Sequence, residues 1–300
     1  MAINLYSKAI VSRRRGTEIR VRSLLSDSTS NLKLSPHQEP TTEETATSFK
    51  PIKAAVQATL EYIGHAGAGL EIDIASQIPV GVGLGSSAAV AVSTISATAK
   101  LFDVKVSKED VFRLAFATEN LIHGKPSGID QMTSIEGGIV LYRVEEGFRK
   151  IKAKKDIPLV IGNTGITRST GDLVRKVREL AEKRKSFFKP IAESCGEISL
   201  KAAKAIQNGN LNDLGMLMNM NHDLLVKISV SHEKLSQLVE AAREAGALGA
   251  KLTGAGGGGC MIALPTPENA EDIVNAINNA GGKAYSVTLD KKGVVAWLEN

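Results

Sequence analysis

The chain has 300 residues, of which 43% are hydrophobic and 23% charged, with a formal net charge of +5. That composition fits a soluble globular chain of one large or two ordinary domains and excludes a disordered or fibrous one. The basic residues are dispersed except at Arg13–Arg15 and Lys150–Lys155, so the charge argues only weakly for a polyanion-binding role.

The elements follow in chain order. Ile3–Leu25 alternates apolar and polar residues and reads as strand, with Arg14–Thr17 as a turn inside it. Ser26–Thr47 is polar, holds Pro36 and Pro40, and reads as a loop. Phe49–Gly64 has helical spacing, and Leu70–Ile74 alternates strictly as a strand that runs into a glycine loop. The small apolar stretch after that loop is long enough for a buried helix. Ser107 then caps a further helix with an acidic first turn, which is expected to end at Gly124. Gly137–Tyr142 is a strand, and Lys150–Lys155 reads as a link. A second unit opens with the strand at 158–162. Helices are expected at 172–184, 191–208, 211–226 and 231–245. A glycine run at Gly254–Gly259, a strand at 260–264, a helix at 268–280 and closing strands at 283–289 and 294–298 complete the chain. Helices and strands mix without regular βαβ alternation, so the fold class is α+β. The expected domains are 1–153 and 154–300.

No apolar run approaches the ~20 residues that span a bilayer, and the opening residues lack the apolar core of a secretion signal. Cys195 and Cys260 form neither a disulfide framework nor a chelating pair. These features point to a cytoplasmic protein with two reduced, buried thiols.

Three segments carry chemistry. In Pro79-Val80-Gly81-Val82-Gly83-Leu84-Gly85-Ser86-Ser87-Ala88-Ala89, alternate glycines join a strand to a helix. Glycine lets backbone approach a ligand, and a helix N-terminus favours phosphate. The spacing matches neither a Walker A loop nor a dinucleotide fingerprint. In Glu119–Asp130, two carboxylates flank a Gly-Lys-Pro-Ser-Gly turn. Phosphoryl transfer needs Mg²⁺ on hard oxygens and a group that orients the attacking hydroxyl. Glu119 suits the metal and Asp130 the hydroxyl, although alone each is equally an ordinary surface residue. His123 reads as a structural residue near a helix C-terminus. In Lys251–Cys260, five glycines in six positions permit close backbone approach to an anion or to another loop.

Together with Asn163–Thr170 and Met218–Leu225, these segments resemble the superfamily of galactokinase, homoserine kinase, mevalonate kinase and phosphomevalonate kinase. Within it the similarity is strongest to mevalonate kinases of archaeal type, over nearly the whole chain. The resemblance implies an N-terminal domain like the second domain of ribosomal protein S5 and a ferredoxin-like C-terminal domain, with ATP and substrate meeting between them. It implies ATP-dependent phosphorylation of mevalonate to 5-phosphomevalonate, with Mg²⁺. Asp130 would be catalytic, and Ser87 and Glu119 would hold the metal. Pro79, Gly81, Gly83, Leu84, Gly85, Ser86, Ser87 and Ala88 would bind the ATP phosphates. Arg168, Thr170, Thr253, Gly254 and Ala255 would face the substrate, with Arg168 on its carboxylate. A homodimer is compatible with the pattern.

The family's opening APGKxxLFGEH-type segment has no counterpart, and Met1–Leu5 resembles the sequence just after it. A misplaced start, a shortened chain and a true loss of that segment's lysine are three open explanations. Neither Lys8 nor Lys125 sits in that lysine's context. Alternatives to the main reading are another small-molecule kinase of the superfamily, acting on phosphomevalonate, homoserine or a sugar, and a non-catalytic ATP-binding homologue. Nucleic-acid binding is disfavoured, because no stacking-aromatic pattern accompanies the charge, and so is membrane association.

Overall fold

The computed structural model describes residues 1–24, 50–123, 126–143, 145–167 and 170–299, with 24, 50 and 121–123 described by backbone alone. The expected loop at 26–47, the helix end at Gly124, the His123 side chain, Lys125 and Arg168 lie outside what is described. The chain forms two compact units. One comprises Met1–Pro79, Gly85–Gly138 and Asp290–Asn300; the other comprises Val80–Leu84 and Ile139–Leu289.

In the first unit, β1 (Ser7–Arg14), β2 (Ile19–Leu24) and β3 (Gly69–Ser76) form a sheet in the order β1-β3-β2. The two opening strands do not pair with each other. β3 lies between them, antiparallel to β1 and parallel to β2. Its alternation works as read: Leu70, Ile72 and Ile74 enter the core. On the opposite face Arg22 Nε lies 2.6 Å from Asp73, and its Nη1 lies 3.1 Å from Glu71. One guanidinium thus serves two neighbouring carboxylates. At the start of β3, Gly69 lies so close to the Gly16 carbonyl that a Cβ has no room.

The described residues of this unit also form the helices α1 (Lys50–Tyr62), α2 (Ser86–Leu101), α3 (Lys108–His123) and α4 (Ile129–Glu136). Ile52, Val56 and Leu60 of α1 pack on the sheet. Ala55 of α1 meets Ala91, Val92 and Ile95 of α2, Val111, Leu114 and Ala115 of α3, and Ile135 of α4. Small side chains let these helices approach closely, which explains a core with so few aromatics. The Ser107 cap forms as expected: its Oγ accepts the Asp110 N–H at 3.1 Å.

The second unit begins with the hairpin β4 (Ile139–Arg143) and β5 (Gly147–Ile151), followed by β6 (Leu159–Asn163). Helices α5 (Thr170–Lys183), α6 (Lys185–Asn208), α7 (Leu211–Lys227) and α8 (Glu233–Glu244) come next. Strands β7 (Gly249–Leu252) and β8 (Cys260–Leu264), helix α9 (Ala270–Asn279) and strand β9 (Lys283–Val287) close it. The sheet order is β7-β8-β6-β9, with each neighbouring pair antiparallel, as in a ferredoxin-like sheet. Leu235, Leu238 and Val239 of α8 and Ile273 and Ile277 of α9 pack against Val160, Ala250, Leu252, Met261 and Ala263 of the sheet.

Several expectations are corrected. α6 begins at Lys185, not 191, and carries Pro190 inside its early turns. A proline there removes one N–H without ending the helix. Lys150 and Ile151 belong to β5, not to a link. Residues 294–298 are not a strand; Val295, Trp297 and Leu298 are exposed. Cys195 is only partly buried, whereas Cys260 is buried, and neither forms a disulfide.

The grouping into units also differs from 1–153 and 154–300, for physical reasons. The β4–β5 hairpin belongs with the second unit, where the Lys154 N–H just after it donates to the Ile206 carbonyl of α6 at 3.2 Å. The last residues belong with the first unit. Gly138 N–H donates to the Asp290 carbonyl at 2.6 Å, and Asp290 N–H donates to the Ala2 carbonyl at 3.1 Å. Gly137 and Gly293 touch closely enough to exclude a Cβ on either.

Candidate active site

In the first unit the site is built on the start of α2. Its cap residue Gly85 is left-handed, at φ 71°, and no side chain caps the helix. The first N–H groups of a helix have no carbonyl one turn back to bond, so they point outward as donors with a partial positive charge. Ala89 N–H is the one that bonds back to Gly85, at 3.0 Å. Ser86 is held by its Oγ, 3.4 Å from the Ile78 carbonyl, while Ser87 is exposed. Ala88 turns into the core.

Ser87 Oγ donates to Glu119 Oε1 of α3 at 3.4 Å. Two hard oxygens therefore meet at the helix start. Among the described residues no group of three or more His, Cys, Asp or Glu side chains could enclose a metal. That donor set suits Mg²⁺, which takes one or two protein oxygens and completes its shell with water and phosphate.

Asp130 stands in the first turn of α4, whose cap Gly128 is also left-handed, at φ 80°. A Cβ on Gly128 would fall 2.9 Å from the Phe112 ring, which stacks on Phe116. That glycine lets α4 begin against α3, and this brings Asp130 to α2. The Asp130 carboxyl carbon lies 3.2 Å from the position of a Cβ on Gly85, so a methyl there would crowd the carboxyl, and the left-handed φ favours glycine as well. Asp130 is exposed to solvent, yet desolvation by the protein around its carboxyl raises its pKa above the ordinary aspartate value. The Met1 ammonium acts in the opposite direction. A carboxylate raised in this way accepts a proton more readily from a hydroxyl. Gly85, Ser86, Ser87, Glu119 and Asp130 are thus gathered in one unit.

In the second unit, Gly81 and Gly83 are left-handed and exposed, and Val80 is 80% exposed. Val82 between them is buried, and its carbonyl accepts the Cys260 N–H at 3.2 Å. Gly254 and Gly256–Gly259 all have positive φ. The glycine run is tied rather than loose. Gly257 N–H donates to Val230 at 2.8 Å, and Gly259 N–H donates to Ile166 at 2.9 Å. Thr164 donates to the Gly259 carbonyl through its N–H and its Oγ, both at 2.9 Å. Thr253 leaves β7 with its N–H on the Cys260 carbonyl at 3.0 Å, and Gly254 after it is exposed. Ala255 is half-buried, and Thr170 opens α5 on the surface. Sequence reasoning missed Val82, Thr164, Ile166 and Val230 as the supports of the run. The available signal was Val82, an apolar residue set between glycines.

Two family models match the chain: the GHMP kinases N terminal domain over residues 50–138 and the GHMP kinases C terminal domain over residues 202–283. The mevalonate kinase of Pyrococcus furiosus is 42% identical over 248 residues, covering 81% of this chain and 73% of the relative. That of Thermococcus gammatolerans is 43% identical over 249 residues with the same coverage. Among solved structures, L. major mevalonate kinase in complex with R-mevalonate superposes with a TM-score of 0.83 at 29% identity, covering 98% of this chain and 89% of that one. Methanococcus jannaschii mevalonate kinase gives 0.78 at 29% identity, covering 97% and 90%. The chain belongs to the GHMP kinase family, and within it to the mevalonate kinases.

Proposed function

We propose that this chain transfers the γ-phosphoryl group of ATP to the primary hydroxyl of mevalonate, giving 5-phosphomevalonate. The observation that carries the reading is the placement of Asp130 against Gly85 at the uncapped start of α2, where Ser87 meets Glu119. The outward N–H groups of that turn and the left-handed backbone at Gly81, Gly83 and Gly85 suit the phosphates, with Pro79, Leu84, Ser86 and Ala88 around them. Ser87 and Glu119 would hold Mg²⁺, which when bound offsets the charge on the phosphates. Asp130 orients the attacking hydroxyl and takes its proton, and its raised pKa favours that role. Thr253, Gly254, Ala255 and Thr170 face the substrate. Arg168, outside the described residues, grips its carboxylate. Among the described residues no helix is long and apolar enough to cross a membrane.

The test is product identity. Purified protein with Mg²⁺ and ATP is given R-mevalonate, phosphomevalonate, homoserine or galactose, and the products are read by mass. Phosphorylation of mevalonate at its primary hydroxyl is expected. Turnover of one of the other three in its place would contradict the substrate assignment.

A further inference from the structure

Among the described residues, strand β7 is the edge of its sheet, with β8 as its strand partner. The free side of an edge strand carries N–H and C=O groups that need partners once buried. Here helix α7 lies along that side. A Cβ on Gly249 of β7 would strike the Gly215 backbone of α7, and one on Gly215 would strike Leu248 just before the strand. Side chains of α7 then do what a neighbouring strand would do. Asn219 Oδ1 accepts the Ala250 N–H at 2.9 Å. His222 Nδ1, on the same helix face, accepts the Leu252 N–H at 3.3 Å. From α8, Arg243 donates to the Ala250 carbonyl at 3.1 Å and to Asn219 Oδ1 at 2.9 Å. Lys251 Nζ donates to the Leu252 carbonyl at 2.7 Å.

His222 is buried, at 3% exposure. Burial first, then the charges of Arg243 and Lys251, lower its pKa to about 4 against the opposing pull of Asp223. It is therefore neutral near pH 7, with Nδ1 free to accept. The residue it holds, Leu252, is the last of the strand and directly precedes Thr253 and Gly254.

We propose that Asn219 and His222 are positioning residues that lock the free edge of β7 onto α7 and so fix where Thr253 and Gly254 leave the sheet toward the substrate. The functional half of this inference rests on the proposed activity; the structural half does not. Two readouts on the full chain separate them: amide hydrogen exchange of the 252–260 segment, and steady-state KM and kcat with mevalonate and MgATP.

His222→Ala is expected to speed exchange in that segment about tenfold or more and to raise the KM for mevalonate roughly fivefold or more. His222→Asn, whose Oδ1 stands near the place of Nδ1, is expected to restore both; His222→Gln, whose Oε1 reaches the place of Nε2, is not. If His222→Ala does not fold, the Asn and Gln variants carry the comparison. A lower Tm with unchanged loop exchange and KM would reduce the clamp to simple edge protection and overturn the proposal, as would equal behaviour of the Asn and Gln variants. A wild type inactive on mevalonate would overturn the functional half, while the exchange data would still decide the structural half.

Discussion

The two glycine-rich segments look alike in sequence and behave differently in the fold. At Gly81 the nearest neighbour of a would-be Cβ is the Thr167 methyl, at 4.0 Å. At Gly257 it is a Leu173 methyl at 2.6 Å, at Gly258 an Ile166 methyl at 2.8 Å, and at Gly256 the Val230 carbonyl itself. The first segment uses glycine at 81 for its backbone angle and leaves the space there open. The second uses glycine because the protein already fills the space. Gly256–Gly258 are therefore packing elements, and the substrate-facing role is proposed only for Thr253, Gly254 and Ala255 before them.

This contrast can be broken or sharpened by substitution. Gly256→Ala should act hardest: it adds a clash with backbone to an unfavourable φ, for a loss of about 3 kcal/mol or more in urea unfolding. A loss no larger than that of Gly81→Ala, expected at about 1 kcal/mol from φ alone, would erase the distinction. Glu119→Gln tests the open side. It should raise the Mg²⁺ needed for half-maximal rate roughly tenfold or more, with Tm unchanged. Gly85→Ala falls between these cases, because the new methyl presses on the Asp130 carboxyl. Turnover should drop with a stability loss of about 1–2 kcal/mol.

The smallest effect is one of pH. His222 has a folded pKa of about 4, below its ordinary 6.5, so the unfolded chain takes up the proton first. Its contribution to stability is complete above about pH 6.5 and falls away as the pH drops toward 4. Thermal melts across that window should show the decline, and His222→Asn should flatten it.

Much of this was legible along the chain. The alternation of Leu70, Ile72 and Ile74, the Ser107 cap and the strand–glycine–helix junction at 79–90 depend on local rules, and each took the expected form. What could not be read is non-local. Nothing near β1 and β2 announces that β3 inserts between them, or that Val82 is held by Cys260 far along the chain. The start of α6 was also not legible: it begins at Lys185 rather than at 191 and runs through Pro190, which lacks the N–H for one helical bond. Ser87, Glu119 and Asp130 could be named from the sequence; the contact of Asp130 with Gly85 required the left-handed cap at Gly128.

The central claim is that Asp130 performs the chemistry at a phosphate-binding helix start. The most direct measurement compares Asp130→Asn with the wild type for turnover of mevalonate and for MgATP affinity by calorimetry. The account predicts that turnover falls by roughly 10³-fold while MgATP affinity stays within about twofold. Turnover near the wild-type level in a folded Asp130→Asn protein would contradict it.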